Sequence, residues 1–249
     1  MVRRADLGTQ FEHRMNNGTL YLIPVPLADN VPLGIVSPSV KTLVGGITVF
    51  VVENAKTARQ WLKWYEHPVE MRKLTIIELK EVEGRKALAA YLTPLMEGKN
   101  IGVMSEAGCP GIADPGANLV REAHRLGIRV APLVGPSSIL LALMASGLNG
   151  QHFCFHGYLP VDRIPRAKAI TTLEQRSHRD HETQVFIETP YRNSAMIDAL
   201  VATCNSQTLL CIATDVTGEN EMIATRTIGE WQKQLPDLDK RPTVFLLQA

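Results

Sequence analysis

The stretch Ser105-Glu106-Ala107-Gly108-Cys109-Pro110-Gly111-Ile112-Ala113-Asp114-Pro115-Gly116 decides how this chain is read. It follows the short β-prone run Ile101-Gly102-Val103-Met104 and precedes Ala117 to Leu126, where apolar residues return at helical spacing. The stretch is therefore a strand-to-helix loop. In an open α/β sheet such loops lie at the carboxyl ends of the strands, where ligands bind. Its glycines and prolines fix unusual backbone angles and let a ligand approach the main chain. Taken alone, the loop reads equally well as an ordinary tight connection.

Working outward, Thr19 to Ile23 is a first strand stopped by Pro24-Val25-Pro26, and Val40 to Val44 a short helix. Ile47 to Val52 is a buried strand that delivers Glu53-Asn54, and Ala55 to Tyr65 a helix with Ala58, Trp61, Leu62 and Tyr65 on one face. Leu74 to Leu79 is a third strand. Arg85 to Met96 is a helix with Leu88, Leu92, Leu95 and Met96 inward, capped by Gly98. Ile128 to Leu133 and Ser137 to Ser146 continue the alternation, which predicts a parallel, doubly wound sheet. Gly147-Leu148-Asn149-Gly150 breaks it. Beyond lie strands at Phe153 to Tyr158, Gln184 to Ile187, Leu209 to Thr214, Glu221 to Ile228 and Thr243 to Leu247, with helices at Arg166 to Arg179, Asn193 to Cys204 and Gly229 to Gln234. Two of these strands could pair as a hairpin around Asp215 to Asn220. The expected fold is α/β in two domains: a loose tail 1–17, an N-terminal domain 18–150 with the parallel sheet, and a C-terminal domain 151–249 with a mixed sheet.

The 249 residues are 45% hydrophobic and 20% charged, ordinary for a globular protein, and the net charge of +1 gives no global field for nucleic acid. Any RNA contact would need a local patch. Cys109, Cys154, Cys204 and Cys211 form no C-x-x-C pair and have no His at ligand spacing, so reduced thiols and no metal are expected. Neither a signal-peptide core nor an apolar run of about 20 residues is present, so a soluble, cytoplasmic protein off the membrane is expected.

Four loops converge in this topology: Pro24-Val25-Pro26, Glu53-Asn54, Ser105 to Gly116, and Val134-Gly135-Pro136-Ser137-Ser138. None carries G-x-G-x-x-G or a P-loop, so the ligand is not phosphate-led. Backbone groups, the hydroxyls of Ser105, Ser137 and Ser138 and one carboxylate suit a sulfonium nucleoside. Ser137-Ser138 could hold a ligand carboxylate, or one of them could simply cap the helix. Among the strand-end carboxylates Glu53, Asp29 and Glu106, Glu53 is the choice for a catalytic base; its plainer role is a charge in the first turn of the next helix. Asp114 could touch ligand, its plainer role being a cap for the following helix, and His156 is another catalytic candidate whose plainer role is a core or rim residue. Lys56, Arg59, Lys63, Arg72, Lys73, Arg163, Arg166 and Lys168 could form a basic rim with Trp61, Trp64 and Tyr65 for base stacking, or be plainly solvated, with the rings in the core.

Pro24-Val25-Pro26, Ser105 to Gly116, Gly135-Pro136-Ser137-Ser138, Gly157-Tyr158-Leu159-Pro160 and Glu188-Thr189-Pro190-Tyr191-Arg192, in this order, resemble the tetrapyrrole methylase superfamily. They are most similar to its branch that methylates a cytidine ribose 2′-hydroxyl in small-subunit ribosomal RNA. The resemblance runs from Thr19 to the C-terminus. It implies an S-adenosylmethionine-dependent methyltransferase, usually a homodimer, with the cofactor in the cleft between domains and ribosomal RNA or the small subunit as partner. By position it assigns Pro24, then Ser105, Glu106 and Cys109, then Ser137 and Ser138 to three cofactor loops. It puts Leu159 and Pro160 at the domain crossing, Glu188 on the floor of the second domain, Ala213 facing the adenosine and Thr225 near the adenine. One segment departs: Val52-Glu53-Asn54-Ala55-Lys56-Thr57-Ala58-Arg59 lacks the spacing of the branch's Ala-Glu-Asp-Thr-Arg signature. A small-molecule methyltransferase and a cofactor-binding module without turnover therefore remain as alternatives.

Overall fold

The structure is a computed structural model that describes residues 17–28, 31–80 and 84–249, with Leu33 as backbone only. Asp29 and the expected tail up to residue 16 lie outside the described residues. The chain forms two compact units, the first holding residues 17–26 and 31–136 and the second residues 27–28 and 137–249 among those described.

In the first unit the order is β1 (Leu20–Leu22), α1 (Pro38–Gly45), β2 (Val49–Val52), α2 (Ala55–Trp64), β3 (Thr75–Glu78), α3 (Arg85–Tyr91), α4 (Thr93–Met96), β4 (Ile101–Met104), α5 (Ala117–Arg125) and β5 (Val130–Pro132). The sheet runs β3-β2-β4-β1-β5 with every pair parallel. Strands β2 and β4 are buried along their whole length, as continuous apolar runs in a two-sided sheet should be. Phe50 and Val52 face a core with Ile23, Val44 and Leu62, while Val49 and Val51 face another with Leu20, Leu95, Ile101 and Leu119. Gly102 lies where a Cβ would sit 2.5 Å from Ile23 Cδ1, so the central strand needs a glycine there.

The helix expected over Arg85 to Met96 is two helices, because Pro94 has no N–H to carry the ladder through Leu92. Beyond the break Leu95 is buried but Met96 is 49% exposed, contrary to the inward face expected of it.

The second unit contains α6 (Ser138–Ser146), β6 (Phe153–Tyr158), α7 (Arg163–Asp180), β7 (Thr183–Glu188), α8 (Asn193–Thr203), β8 (Leu209–Thr214), β9 (Met222–Thr227), α9 (Ile228–Trp231) and β10 (Thr243–Gln248). Its sheet runs β6-β7-β10-β8-β9, with β6 and β7 parallel and the other pairs antiparallel. The hairpin is β8 with β9. Ile139, Ala142 and Leu143 of α6 pack with Val185, Ala213 and Val244, so α6 belongs with the second sheet and the Gly147–Gly150 break falls between α6 and β6. On another layer Phe186 stacks on Phe245 at 5.6 Å, and the Trp231 indole donates to Leu210 O at 2.9 Å.

Candidate functional site

Helix α2 organises the strand-end loops of the first unit. Its N-cap is Asn54, whose side chain accepts from Lys56 N and Thr57 N at 2.9 and 3.1 Å. The cap position being filled, Glu53 turns the other way and accepts from Glu106 N at 3.0 Å. It is thus tied to the 105–116 loop, and α2 carries no acid in its first turn.

The buried face of α2 is apolar in mass but not in its tips. Trp61 Nε1 donates to Glu106 O at 2.9 Å, Trp64 Nε1 to Val31 O at 2.7 Å, and the Tyr65 hydroxyl to Pro24 O at 2.6 Å. Thr57 Oγ1 adds a bond to Glu106 Oε1 at 3.2 Å. One helix therefore pins three separate loop carbonyls. Trp61 and Tyr65 are 7% and 1% exposed, which removes them from the stacking rim the sequence allowed: a large ring with one polar end is most stable inside when that end finds an acceptor. Burial raises the Tyr65 phenol above its ordinary range, with the neighbouring Cys109 adding to the shift.

The loops also hold one another. Val25 and Gly108 exchange backbone bonds of 2.9 and 3.1 Å as an isolated antiparallel bridge. Gly108 sits at φ 68°, in the left-handed region. A Cβ on Gly135 would fall 2.2 Å from Pro24 Cβ, so two strand ends meet where only glycine fits. Cys109 Sγ donates to Pro136 O at 3.2 Å, and Ser105 Oγ to Ala107 O at 3.1 Å. Pro24, Glu53, Ser105, Glu106 and Cys109 are thereby gathered at one edge of the parallel sheet.

Negative charge accumulates there. Burial raises the Glu53 carboxyl; the Glu106 amide opposes the rise and the Glu106 charge supports it. Asp114 is raised to about 6 by burial and then by the charges of Glu53 and Glu106, with the Ser105 hydroxyl pulling the other way. Asp114 does not cap α5: the N-cap is Gly116, without a side-chain bond. Burial, followed by the Asp114 charge, raises the Cys109 thiol, which stays protonated at neutral pH.

The remaining expected residues lie in the second unit. Ser137 occupies the N-cap position of α6 but its side chain makes no capping bond, so that hydroxyl is not spent on the helix; Ser138 is the first helical residue. Leu159 is buried in a core cluster and Pro160 is exposed. Ala213 is fully buried among α6 residues, and the Thr225 hydroxyl is committed to Ser146 O at 2.7 Å. Glu188 is buried, its Oε1 accepting from Thr189 N, Arg192 Nε and Arg192 Nη2 at 2.6, 2.9 and 2.7 Å. Among the described residues its Oε2 has no partner, and neither does the buried Thr214 Oγ1. His156 Nε2 is 2.7 Å from Gln184 Oε1, a half-buried structural contact.

Of the basic residues, Arg72 and Lys73 pair with Glu70 at 2.6 and 3.7 Å, and Lys56, Arg59, Lys63, Arg163 and Lys168 are exposed. Arg166 differs from them in being only 8% exposed. Among the described residues no group of three or more His, Cys, Asp or Glu could hold a metal ion, and no helix is long and apolar enough to cross a membrane. Thr57 was not singled out from sequence, and neither the capping role of Asn54 nor the pairing of Arg192 with Glu188 was foreseen. The i, i+3, i+4 spacing of Trp61, Trp64 and Tyr65 was the available signal for the carbonyl ties, since buried indole and phenol groups must find acceptors.

No family model matches the chain. A Buchnera aphidicola subsp. Schizaphis graminum protein, "Ribosomal RNA small subunit methyltransferase I", is 30% identical over 233 residues, spanning 92% of this chain and 78% of its own length. Proteins of the same name from Xylella fastidiosa strain Temecula1 and Bacillus subtilis are each 29% identical, spanning 92% of this chain and 80% and 73% of their own lengths. Among solved structures, the methyltransferase CobJ aligns over 94% of both chains with TM-score 0.60 and 19% identity. Cobalt precorrin-4 methyltransferase CbiF aligns over 95% of both with TM-score 0.59 and 12% identity. These two likenesses establish the fold.

Proposed function

We propose, since the chain belongs to the ribosomal RNA small subunit methyltransferase I family, that it transfers a methyl group from S-adenosylmethionine to a ribose 2′-hydroxyl of small-subunit ribosomal RNA. The observation that carries this reading is the loop set of the first unit. Pro24, Ser105, Glu106 and Cys109 are fixed by backbone and buried side-chain bonds around carboxylates that have no cationic partner among the described residues, with no phosphate cradle. That donor set fits a phosphate-free cationic nucleoside. In the second unit, Ser137, Ser138, Leu159, Pro160, Glu188, Ala213 and Thr225 are the proposed remaining contacts. The buried Glu188 Oε2, unpartnered, supports an acceptor role toward ligand N–H or O–H groups.

When bound, S-adenosylmethionine supplies an electrophilic methyl group on a sulfonium centre. The chain's part is alignment and proton handling, the usual sources of rate in such a displacement. Glu53 is the proposed base. Burial lifts its proton affinity, and the Glu106 amide orients one carboxylate oxygen, leaving the other to take the ribose hydroxyl proton. Asp114 and Glu106 favour a cation nearby.

Leu140 and Met144, one turn apart on α6, are 52% and 78% exposed, which supports a second copy of this chain as partner. Sedimentation as a monomer at micromolar concentration would remove that part. For the reaction, purified protein is incubated with radiolabelled methyl donor and small subunits from a deletion strain, and the RNA is digested. Label is expected in a 2′-O-methylnucleoside; label in a soluble metabolite, or none, overturns the reading. Glu53→Gln is expected to lower kcat about 10²-fold with donor affinity retained, and full turnover would exclude Glu53 as base.

A further inference from the structure

The most enclosed arginine among the described residues of the second unit has no counter-ion among those residues. Arg166, near the start of α7, is 8% exposed; its Nη1 donates to Val161 O at 3.3 Å and its Nε has no partner. Among the described residues no carboxylate comes within 4.0 Å of it, Asp162 at the helix cap included. Arg176 is matched by Glu182 and Arg192 by Glu188, at 2.6 and 2.7 Å, and Arg241 by Asp215 at 2.6 Å, whereas exposed Arg163 and Arg226 show no ion pair among the described residues. A buried guanidinium without a partner is costly to keep, and an anion from outside would relieve it.

The surroundings narrow the anion. Strands β6 and β7 are parallel; Tyr158, 54% exposed, ends β6, and Tyr191, 80% exposed, lies in the single 3-10 turn Pro190–Arg192 that follows β7. Arg192 lies within electrostatic range of Tyr158 and is held by Glu188. Arg166 binds the carbonyl of Val161, three residues beyond Tyr158, so the same strand-end region carries exposed rings for stacking and guanidinium groups for phosphate, which is the chemistry of single-stranded RNA recognition.

We propose that this edge of the second unit receives the acceptor strand, with Arg166 taking a phosphodiester oxygen and Tyr158 and Tyr191 stacking on bases. This rests on the RNA reading above. It gives a chain with a net charge of +1 a local means of holding RNA.

The test is binding of a labelled fragment of small-subunit ribosomal RNA across 50–300 mM KCl, with donor affinity measured in parallel. Arg166→Gln is expected to reduce the slope of log affinity against log salt by about 0.7–0.9, the signature of one lost phosphate contact. Arg166→Lys is expected to keep the slope. Tyr191→Ala, on the surface, is expected to weaken RNA binding about 10-fold with the slope intact, and donor affinity should be unchanged in all three. An unchanged slope in Arg166→Gln, a selective loss of donor affinity, or altered self-association in place of altered RNA binding each overturns the proposal. Wild-type protein that binds no RNA overturns the RNA reading itself, which keeps the two failures apart.

Discussion

Replacing Tyr65 by Phe removes one oxygen atom from a ring that is 1% exposed and leaves the packing otherwise intact. The loss falls on Pro24 O, which receives the hydroxyl at 2.6 Å and is itself buried. A lost hydrogen bond that strands a buried acceptor costs about 1–3 kcal/mol. Taking about 2 kcal/mol, the folding equilibrium changes roughly 30-fold and the melting temperature falls by about 4–8 °C for a chain of this size. If the 24–26 loop instead shifts to reach water, the same free energy appears as an up to roughly 30-fold weaker affinity for the methyl donor. Urea denaturation and calorimetric titration with S-adenosylmethionine measure the two portions. Tyr91→Phe is the control, since that hydroxyl lies 3.4 Å from Glu78 O and its loss should cost under about 0.5 kcal/mol. A Tyr65→Phe protein with wild-type stability and wild-type donor affinity would refute the idea that α2 holds the loop through this bond.

Asp114 makes stability depend on pH in a defined direction. Its folded carboxyl keeps a proton up to about pH 6, whereas the unfolded one releases it near 3.8, so stability falls as pH rises through that window. A shift of this size corresponds to about 3 kcal/mol at full burial, and partial exposure reduces it to about 1–2 kcal/mol. Asp114→Asn should therefore stabilise the protein by about that much at pH 7.5 and little at pH 4; equal urea midpoint shifts at both pH values would contradict it. Gly135→Ala, whose Cβ would stand 2.2 Å from Pro24 Cβ, should cost about 1–3 kcal/mol and weaken donor binding at least 10-fold; calorimetry finding unchanged affinity would detach this contact from the site.

Strand β4 and its loop were legible because four apolar residues bounded by turn chemistry leave few choices, and α2 because its apolar period is unambiguous. What periodicity could not convey was where the polar tips of Trp61, Trp64 and Tyr65 go, as their acceptors lie far along the chain in Glu106, Val31 and Pro24. The rotation of Glu53 away from α2 was hidden for a related reason: it follows from Asn54 taking the cap, a competition between adjacent residues. Arg166 looked like its exposed neighbours in a polar helix, and only the tertiary fold buries it. Met96 kept helical spacing past a proline that had already ended the helix. The order of strands was also beyond reach, since β10 sits between β7 and β8 through pairings that leave no local mark.

That central place of β10 constrains the order of assembly during synthesis. Strands β7 and β8 emerge from the ribosome well before the strand that separates and pairs with both. The roughly 60 residues from the start of β7 to the start of β10 take about 3–12 s to make at 5–20 residues per second. During that interval the strands of Val185 and Phe186, and of Leu210 and Ile212, each keep an open backbone edge on the side that β10 will fill. The first sheet, complete once β5 is made, can close without waiting. The nascent protein thus passes through a state with one finished half and one half exposing adhesive edges, and a stall before Thr243 would leave a species prone to chaperone capture or aggregation.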